Sequence, residues 1–393
     1  MKKPSVLIIA TRHVGDLASG ADVRLINHVK HLRAEYYVVL LHKHDSKPNP
    51  DRTSFDPTMY FDQVLEYAPR LLWDLGYRPI IRLAPHAFVR DEPGWRCAMR
   101  NVISDIRPDV IQCDLLGACR LLPKEFRSTA VAFGQDIFQR YALTRFQDVT
   151  IRMVDRLFSL INYAFYRAIE PSVYKTYNYA LFVSQADARL SGNPSAITVP
   201  LGVETVDHTA LGEKNVLCFT GNLSYPPNED AIYRFIRGPW REIHRLRNET
   251  CLVIAGKNPS SRLQSAILGC PATRLIANPS DLRDIIRMSH ICILPVFTGS
   301  GQKIKVLEAL SVGRAVVTTP HAIEGTALIP GEHVLVARDN REIIDMVIRL
   351  LDDKNLCVSL GKRGWEFVRQ YYSWEKSAQL LSQVYSRVLA ESA

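Results

Sequence analysis

The chain has 393 residues, 47% of them apolar and 23% charged, and a formal net charge of +9. That length predicts about two or three domains with sizeable cores, and that balance excludes disordered, fibrous and low-complexity classes. No run approaches the roughly 20 apolar residues that cross a bilayer, and eight scattered cysteines without a CxxC pair argue against zinc and for small core residues in a reducing compartment.

Met1-Lys2-Lys3 ahead of VLIIA imitates the start of a signal peptide, but the apolar run breaks at Thr11-Arg12-His13 and is too short for one. Residues 6–10 read as an opening strand. A glycine-bearing loop, a helical run at 23–32 and the strand YYVVLLH at 36–42 follow. Between 70 and 100, Arg70, Arg78, Arg82, Arg90, Arg96 and Arg100 alternate with Trp73, Tyr77, Phe88 and Trp95. Such interleaving suits a polyanion or an anionic membrane surface, and equally a solvated basic face over a partly buried helix. Further strands are DVIQC (109–113), STAVAF (128–133), YALFVS (179–184) and AITVP (196–200). A long helical region at 148–178 carries apolar residues at Ile151, Val154, Leu157, Leu160, Ile161 and Phe165.

After the polar segment 202–214 the alternation restarts. NVLCFTGN (215–222) runs into a glycine turn, a helix is expected at 230–246, and CLVIAGK, TRLIAN, HICILPV and RAVVTT give strands at 251–257, 273–278, 290–296 and 314–319. Strands that are apolar throughout and separated by helices belong to parallel sheets covered on both faces. The expected fold is α/β, with two doubly wound domains of similar size. Ligands of such sheets bind beyond the carboxyl ends of the strands, so two facing domains predict a cleft. Neither glycine loop is a GxGxxG or GxxxxGK[ST] fingerprint, which lowers the dehydrogenase and ATPase options.

In the second half four strand-end loops share one composition: Gly221-Asn222, Gly256-Lys257, Ser280-Asp281-Leu282 and Gly299-Ser300-Gly301. Glycines admit a ligand close to backbone N–H groups, and a helix N-terminus adds partial positive charge. Lys257, Lys303 and Lys305 carry charge suited to a diphosphate, and Glu308 accepts the two hydrogen bonds of a ribose diol. The plainer alternative for 299–319 is an ordinary βαβ connection in which Lys305 and Glu308 form an exposed i,i+3 pair.

FTGNLSYPPNEDA (219–231), VIAGKNPS, Asp281-Leu282 and GSGQKIKVLEALSVGRAVVTTPHAIEG (299–325) resemble glycosyltransferase family 4, whose members have the GT-B fold of two Rossmann-like domains. Weaker echoes are Ser19-Gly20-Ala21 with Arg24, FGQDIF (133–138), VSQAD (183–187) and PLGVE (200–204). The resemblance implies an acceptor-binding domain at 1–203, a donor-binding domain at 204–370 and a helix at 371–393 that crosses back to the first domain. It implies retaining, hexosyltransferase-like transfer of a sugar from a nucleotide-sugar donor to a glycan, lipid-linked or small-molecule acceptor. Glu308 matches the family's ribose-binding glutamate, and Lys305 the basic residue just before it. Ser300 replaces the first glutamate of the pair and leaves the donor sugar to the backbone of Ser300, Gly301 and Gln302. Gly20, Gly221, Asn222, Lys257, Asp281 and Lys303 complete the expected donor site. Asn222 with Tyr225-Pro226-Pro227 stands where the family often has an arginine and a lysine, and Gln135 where it has a histidine. Asp136 and His13 are the candidates for catalytic or acceptor contacts. No metal or other cofactor is expected, the chain having no Asp-x-Asp triplet. Nucleic acid is not an expected partner. The implied location is the cytoplasm, with peripheral contact on the inner face of the membrane. The alternatives are a non-catalytic partner subunit of the same fold and a nucleotide-sugar epimerase.

Overall fold

The computed structural model describes residues 3–15, 20–44, 56–68, 92–135, 137–147, 152–208, 212–297 and 304–392. They form two units, one made of 1–202 with 374–393 and the other of 203–373.

The first unit is built on a seven-stranded sheet. Its strands are β1 (Ser5–Ala10), β2 (Tyr37–Lys43), β3 (Gln63–Tyr67), β4 (Val110–Asp114), β5 (Ala130–Gln135), β6 (Tyr179–Phe182) and β7 (Ile197–Thr198). Every pairing is parallel and the order is β3-β2-β1-β4-β5-β6-β7. Successive side chains of a strand point to opposite faces, and here both faces are dry. Leu7, Ile9, Val39, Leu41, Ile111 and Cys113 join one cluster with Trp95, Met99 and Ile103 of helix Glu92–Ile106. The alternate residues Val6, Ile8, Val38 and Leu40 are equally buried. Gln112 lies between Ile111 and Cys113 in register, and its Oε1 accepts the Tyr385 hydroxyl at 2.7 Å from helix Trp374–Ser392. Helices Gly20–Leu32 and Trp374–Ser392 pack together on that face, and His28 Nε2 lies 2.8 Å from Ser377 Oγ.

The second unit holds a six-stranded parallel sheet: β8 (Val216–Asn222), β9 (Cys251–Lys257), β10 (Thr273–Ala277), β11 (Ile291–Leu294), β12 (Ala315–Thr318) and β13 (Leu335–Val336), in the order β10-β9-β8-β11-β12-β13. The same topology thus occurs twice. In each unit the order reverses at the first strand, between β1 and β4 and between β8 and β11, and these switch points are where doubly wound sheets leave a crevice for ligands.

All eleven strands expected from apolar runs are present. Two more escape that reading: β3 is only half-buried, and β13 has two residues. The helix expected at 230–246 is two helices, Pro226–Arg237 and Pro239–Leu246, because Pro239 has no N–H to continue the ladder. The region 148–178 contributes helix Met153–Tyr174 behind a separate helix, Phe138–Gln147. All eight cysteines are free thiols.

Glu170 ties that helix pair together, accepting the N–H of Phe138 at 2.7 Å and of Gln139 at 3.1 Å. Burial pushes its carboxyl up to about 7, against those two N–H donors, which hold it down. The folded chain therefore retains a proton there that the unfolded chain releases near 4.5. Stability from this group is full below about pH 4.5 and falls as pH rises toward 7, by roughly 3 kcal/mol in all. Glu170→Gln removes that fall. Urea midpoints measured between those two pH values are expected to converge as pH rises, the wild type losing ground against the variant; parallel curves would contradict the assignment.

Candidate functional site

At the switch point of the second sheet, β8 ends in Gly221-Asn222 beside Gly256-Lys257 of β9, in register Gly221 with Gly256 and Asn222 with Lys257. The strands approach so closely that a Cβ on Gly256 would lie 1.8 Å from the Gly221 carbonyl oxygen. Only glycine fits. Gly221 adopts φ +154°, which also favours glycine. Beyond it the chain turns sharply: the Asn222 side chain accepts from Ser224 N at 3.1 Å and Ser224 Oγ at 2.8 Å. Tyr225-Pro226-Pro227 then starts the next helix, the prolines occupying first-turn positions where no N–H is needed.

Asn228, one residue further on, is buried and uses both ends of its amide. Its Nδ2 donates to the Asn222 carbonyl at 2.8 Å, and its Oδ1 accepts from the Lys305 ammonium. Lys305 stands in the first turn of helix Ile304–Ser311, and its Nζ lies 5.3 Å over the Phe219 ring of β8. The two halves of the switch point are thereby joined by an amide and an ammonium.

Glu308 sits one turn beyond Lys305, partly buried. Among the described residues its carboxylate makes no hydrogen bond and no ion pair, so the simple i,i+3 pair with Lys305 is not the arrangement found. Burial pushes its carboxyl above the usual range, and Lys305 and Arg283 pull it back down. Asp281 is occupied otherwise: it caps helix Leu282–Met288 by accepting Arg283 N at 2.8 Å and binds the Arg283 guanidinium at 2.8 Å. Arg283 also bonds Glu204. Lys257, at the end of β9, accepts Leu223 N through its carbonyl at 2.9 Å and carries a partly exposed side chain. Ser300, Gly301, Gln302 and Lys303 lie outside the described residues.

The first unit has its own cluster at the β1/β4 switch point. Arg12, just past β1, binds Asp22, and reaches Asp114 at the end of β4 at 2.9 Å. Arg24 binds Asp114 as well, donates from Nε to Gln135 Oε1 at 2.8 Å, and stacks 3.9 Å over Phe133. Arg24, Asp22 and Asp114 are all buried. His13 lies 3.3 Å from the Lys43 carbonyl through Nδ1, its ring 5.3 Å from that of His42. Burial pulls the His42 imidazole down to about 4, with His13 and Arg12 adding to the effect and Glu66 opposing it. Gly20 is exposed, opens helix Gly20–Leu32 and has open space around it. Asp136 lies outside the described residues, directly after Gln135.

The structure thus brings Gly221, Asn222, Lys305 and Glu308 to one strand end and sets Lys257 alongside, while His13 and Gly20 belong to the other unit. Two residues went unread in the sequence. Asn228 carried a signal, being the first side chain after a Pro-Pro helix start. Arg283 carried only its adjacency to Asp281.

Two parallel sheets of this topology define a class, the GT-B fold. The chain is similar over 99% of its length to sucrose-phosphate synthase from Thermosynechococcus elongatus, 100% of which is covered, with a TM-score of 0.71 and 14% identity. It is similar over 97% of its length, and 99% of the other's, to HepE of Anabaena solved in complex with UDP and glucose, with a TM-score of 0.62 and 11% identity. In sequence, residues 214–353, which include Lys305 and Glu308, match the family of glycosyl transferases group 1. An uncharacterized glycosyltransferase of Methanocaldococcus jannaschii is 26% identical over 107 residues, a match that spans 27% of this chain and 27% of that relative.

The close approach of β8 and β9 can be tested directly. Gly256→Ala must push the strands apart at the Gly221 carbonyl and is expected to cost at least about 1–3 kcal/mol. Gly20→Ala meets open space and stays within roughly 0.5 kcal/mol. Chemical denaturation of the two variants should separate them clearly; equal stabilities would refute the packing described.

Proposed function

We propose that the chain is a retaining glycosyltransferase of the family 4 type, moving a hexose from a nucleoside diphosphate sugar to an acceptor without a metal. The observation that carries this reading is the pairing, at one switch point, of a lysine anchored on Asn228 with a glutamate one turn along the same helix whose carboxylate bonds no other described residue. The match of residues 214–353 to glycosyl transferases group 1 supports it, and so does the likeness to HepE, solved in complex with UDP and glucose.

In this reading the Glu308 carboxylate accepts the two ribose hydroxyls, and among the described residues no hydrogen-bond partner occupies either oxygen. Lys305 and Lys257 face the diphosphate. As the glycosidic bond breaks, negative charge grows on the departing phosphate, and fixed cations and N–H dipoles stabilise it because they need no reorganisation. The backbone of Ser300, Gly301 and Gln302 holds the donor sugar, and Lys303 adds charge. Asn228 keeps Lys305 in place rather than touching the donor. Attack on the same face the leaving group departs from, with the phosphate oxygen taking the acceptor's proton, demands positioning more than a strong base. His13, Gly20 and Asp136 serve the acceptor side. The protein works in the cytoplasm in peripheral contact with the membrane. The arginine- and aromatic-rich stretch first considered for that contact lies outside the described residues from 69 to 91.

Thermal-shift titration against UDP, GDP, TDP, CDP and ADP, without metal, is expected to give a stabilising shift for one base. Glu308→Ala should leave the unliganded melting temperature in place and weaken that nucleotide roughly ten- to hundredfold, the loss of charge-assisted hydrogen bonds to the ribose. An unchanged dissociation constant rejects the site, and no shift with any base makes a non-catalytic subunit the better reading.

A further inference from the structure

Helix Met153–Tyr174 buries only its second half well: its buried residues are Ser159, Tyr166, Glu170, Val173 and Tyr174. Its first three turns present Met153, Val154, Leu157, Phe158, Leu160 and Ile161 to solvent, each between 40% and 66% exposed. Six large apolar side chains on consecutive turns form one continuous patch, which isolated surface leucines do not. At about 100° per residue they span less than half of the helix circumference, so this is one face and not a helix apolar all round.

The border of the patch indicates what covers it. On the same helical projection Arg156, Tyr163 and Arg167 fall together along one edge, beside Leu160 and Met153. Arg167 donates to the Tyr163 hydroxyl at 3.2 Å, and Arg156 donates to the Phe146 carbonyl at 2.9 Å, so neither charge is neutralised by these bonds. Arg152 opens the helix and bonds Asp155 at 2.8 Å, and Asp155 is the one carboxylate among residues 152–169. The face is therefore apolar in the middle, cationic and phenolic along a rim, and, among residues 152–169, without an unpaired acidic group. Leucine, phenylalanine and methionine below with arginine and tyrosine at the rim is the arrangement of a helix that lies in the plane of a bilayer interface. No described helix is long and apolar enough to cross a membrane, so such a contact is peripheral.

We propose that the first three turns of helix Met153–Tyr174 lie flat on an anionic phospholipid surface, the apolar side chains among the acyl chains and Arg152, Arg156 and Arg167 at the phosphates. This names the surface for the proposed membrane contact and stands apart from the donor site, since lipid binding is read without nucleotide and nucleotide binding without lipid.

The test is flotation of the full chain with vesicles of phosphatidylcholine alone and of phosphatidylcholine with phosphatidylglycerol. The wild type is expected to float with the anionic vesicles, less so as salt rises, and weakly with the neutral ones. Leu157→Glu with Ile161→Glu should lower the bound fraction at least about tenfold, with far-UV circular dichroism and melting temperature unchanged. Leu157→Ser with Ile161→Ser carries the same comparison should the glutamates disturb folding. A wild type that stays in the bottom fractions, or variants that float as it does, overturns the proposal. A light-scattering mass of two chains that falls to one in the variants also overturns it, by assigning the face to a second copy.

Discussion

The ammonium of Lys305 on the amide oxygen of Asn228 is the contact around which the second unit's strand ends are arranged. Asn228 is buried, so both ends of its amide must be paired, and it does this with the Asn222 carbonyl and Lys305. That one amide joins the turn after β8 to the first turn of helix Ile304–Ser311. It also fixes where a positive charge stands relative to the glycine backbone of Gly221, and the Glu308 carboxylate, a turn away, makes no hydrogen bond or ion pair among the described residues. In the proposed function, a neutral residue thus positions the cation that faces the donor.

The first unit secures its switch point differently, with charge. Arg12 and Arg24 share Asp114, and Asp22 and Gln135 complete the set, nearly all of it out of solvent. Desolvating such groups is costly, and the offset comes from their mutual attraction and the guanidinium packed over Phe133. Loss of Asp114 removes the carboxylate that both arginines share and leaves the Arg24 guanidinium buried with only the Gln135 amide as acceptor among the described residues. The network therefore holds the ends of β1, β4 and β5 in one arrangement. Gln135, with φ +57°, ends β5 and is bonded into the network through Arg24 Nε. His42 stays neutral beside the cluster because burial and neighbouring cations oppose its charge.

The two surfaces also differ in what they leave unsatisfied. The second unit leaves a polar group without a partner among the described residues, the carboxylate of Glu308. The first leaves an apolar face uncovered at the start of helix Met153–Tyr174, although its second half is bound into the core through Glu170 and Tyr166. A single helix thus changes from surface to core element along its length, and Glu170 marks the changeover by capping the preceding helix.

The runs of buried apolar residues determined eleven of the thirteen strands and the α/β class, because a strand covered on both faces must be apolar at every position. They determined the glycine turns at 221 and 256, and the motif string from 299 to 325 pointed to Lys305 and Glu308. β3 and β13 stayed illegible because an edge strand is half exposed or too short to show a pattern, and β7 shows only two paired residues of the apolar run at 196–200. Periodicity at 148–178 announced a helix with an apolar face, but period alone says which residues share a face and not whether anything covers it. The partners of Lys305, Asp281 and Arg24 were decided only by tertiary structure. Each lies on a different element from at least one group it binds, or competes among several nearby charges, and the choice among them depends on where the strand ends meet in space.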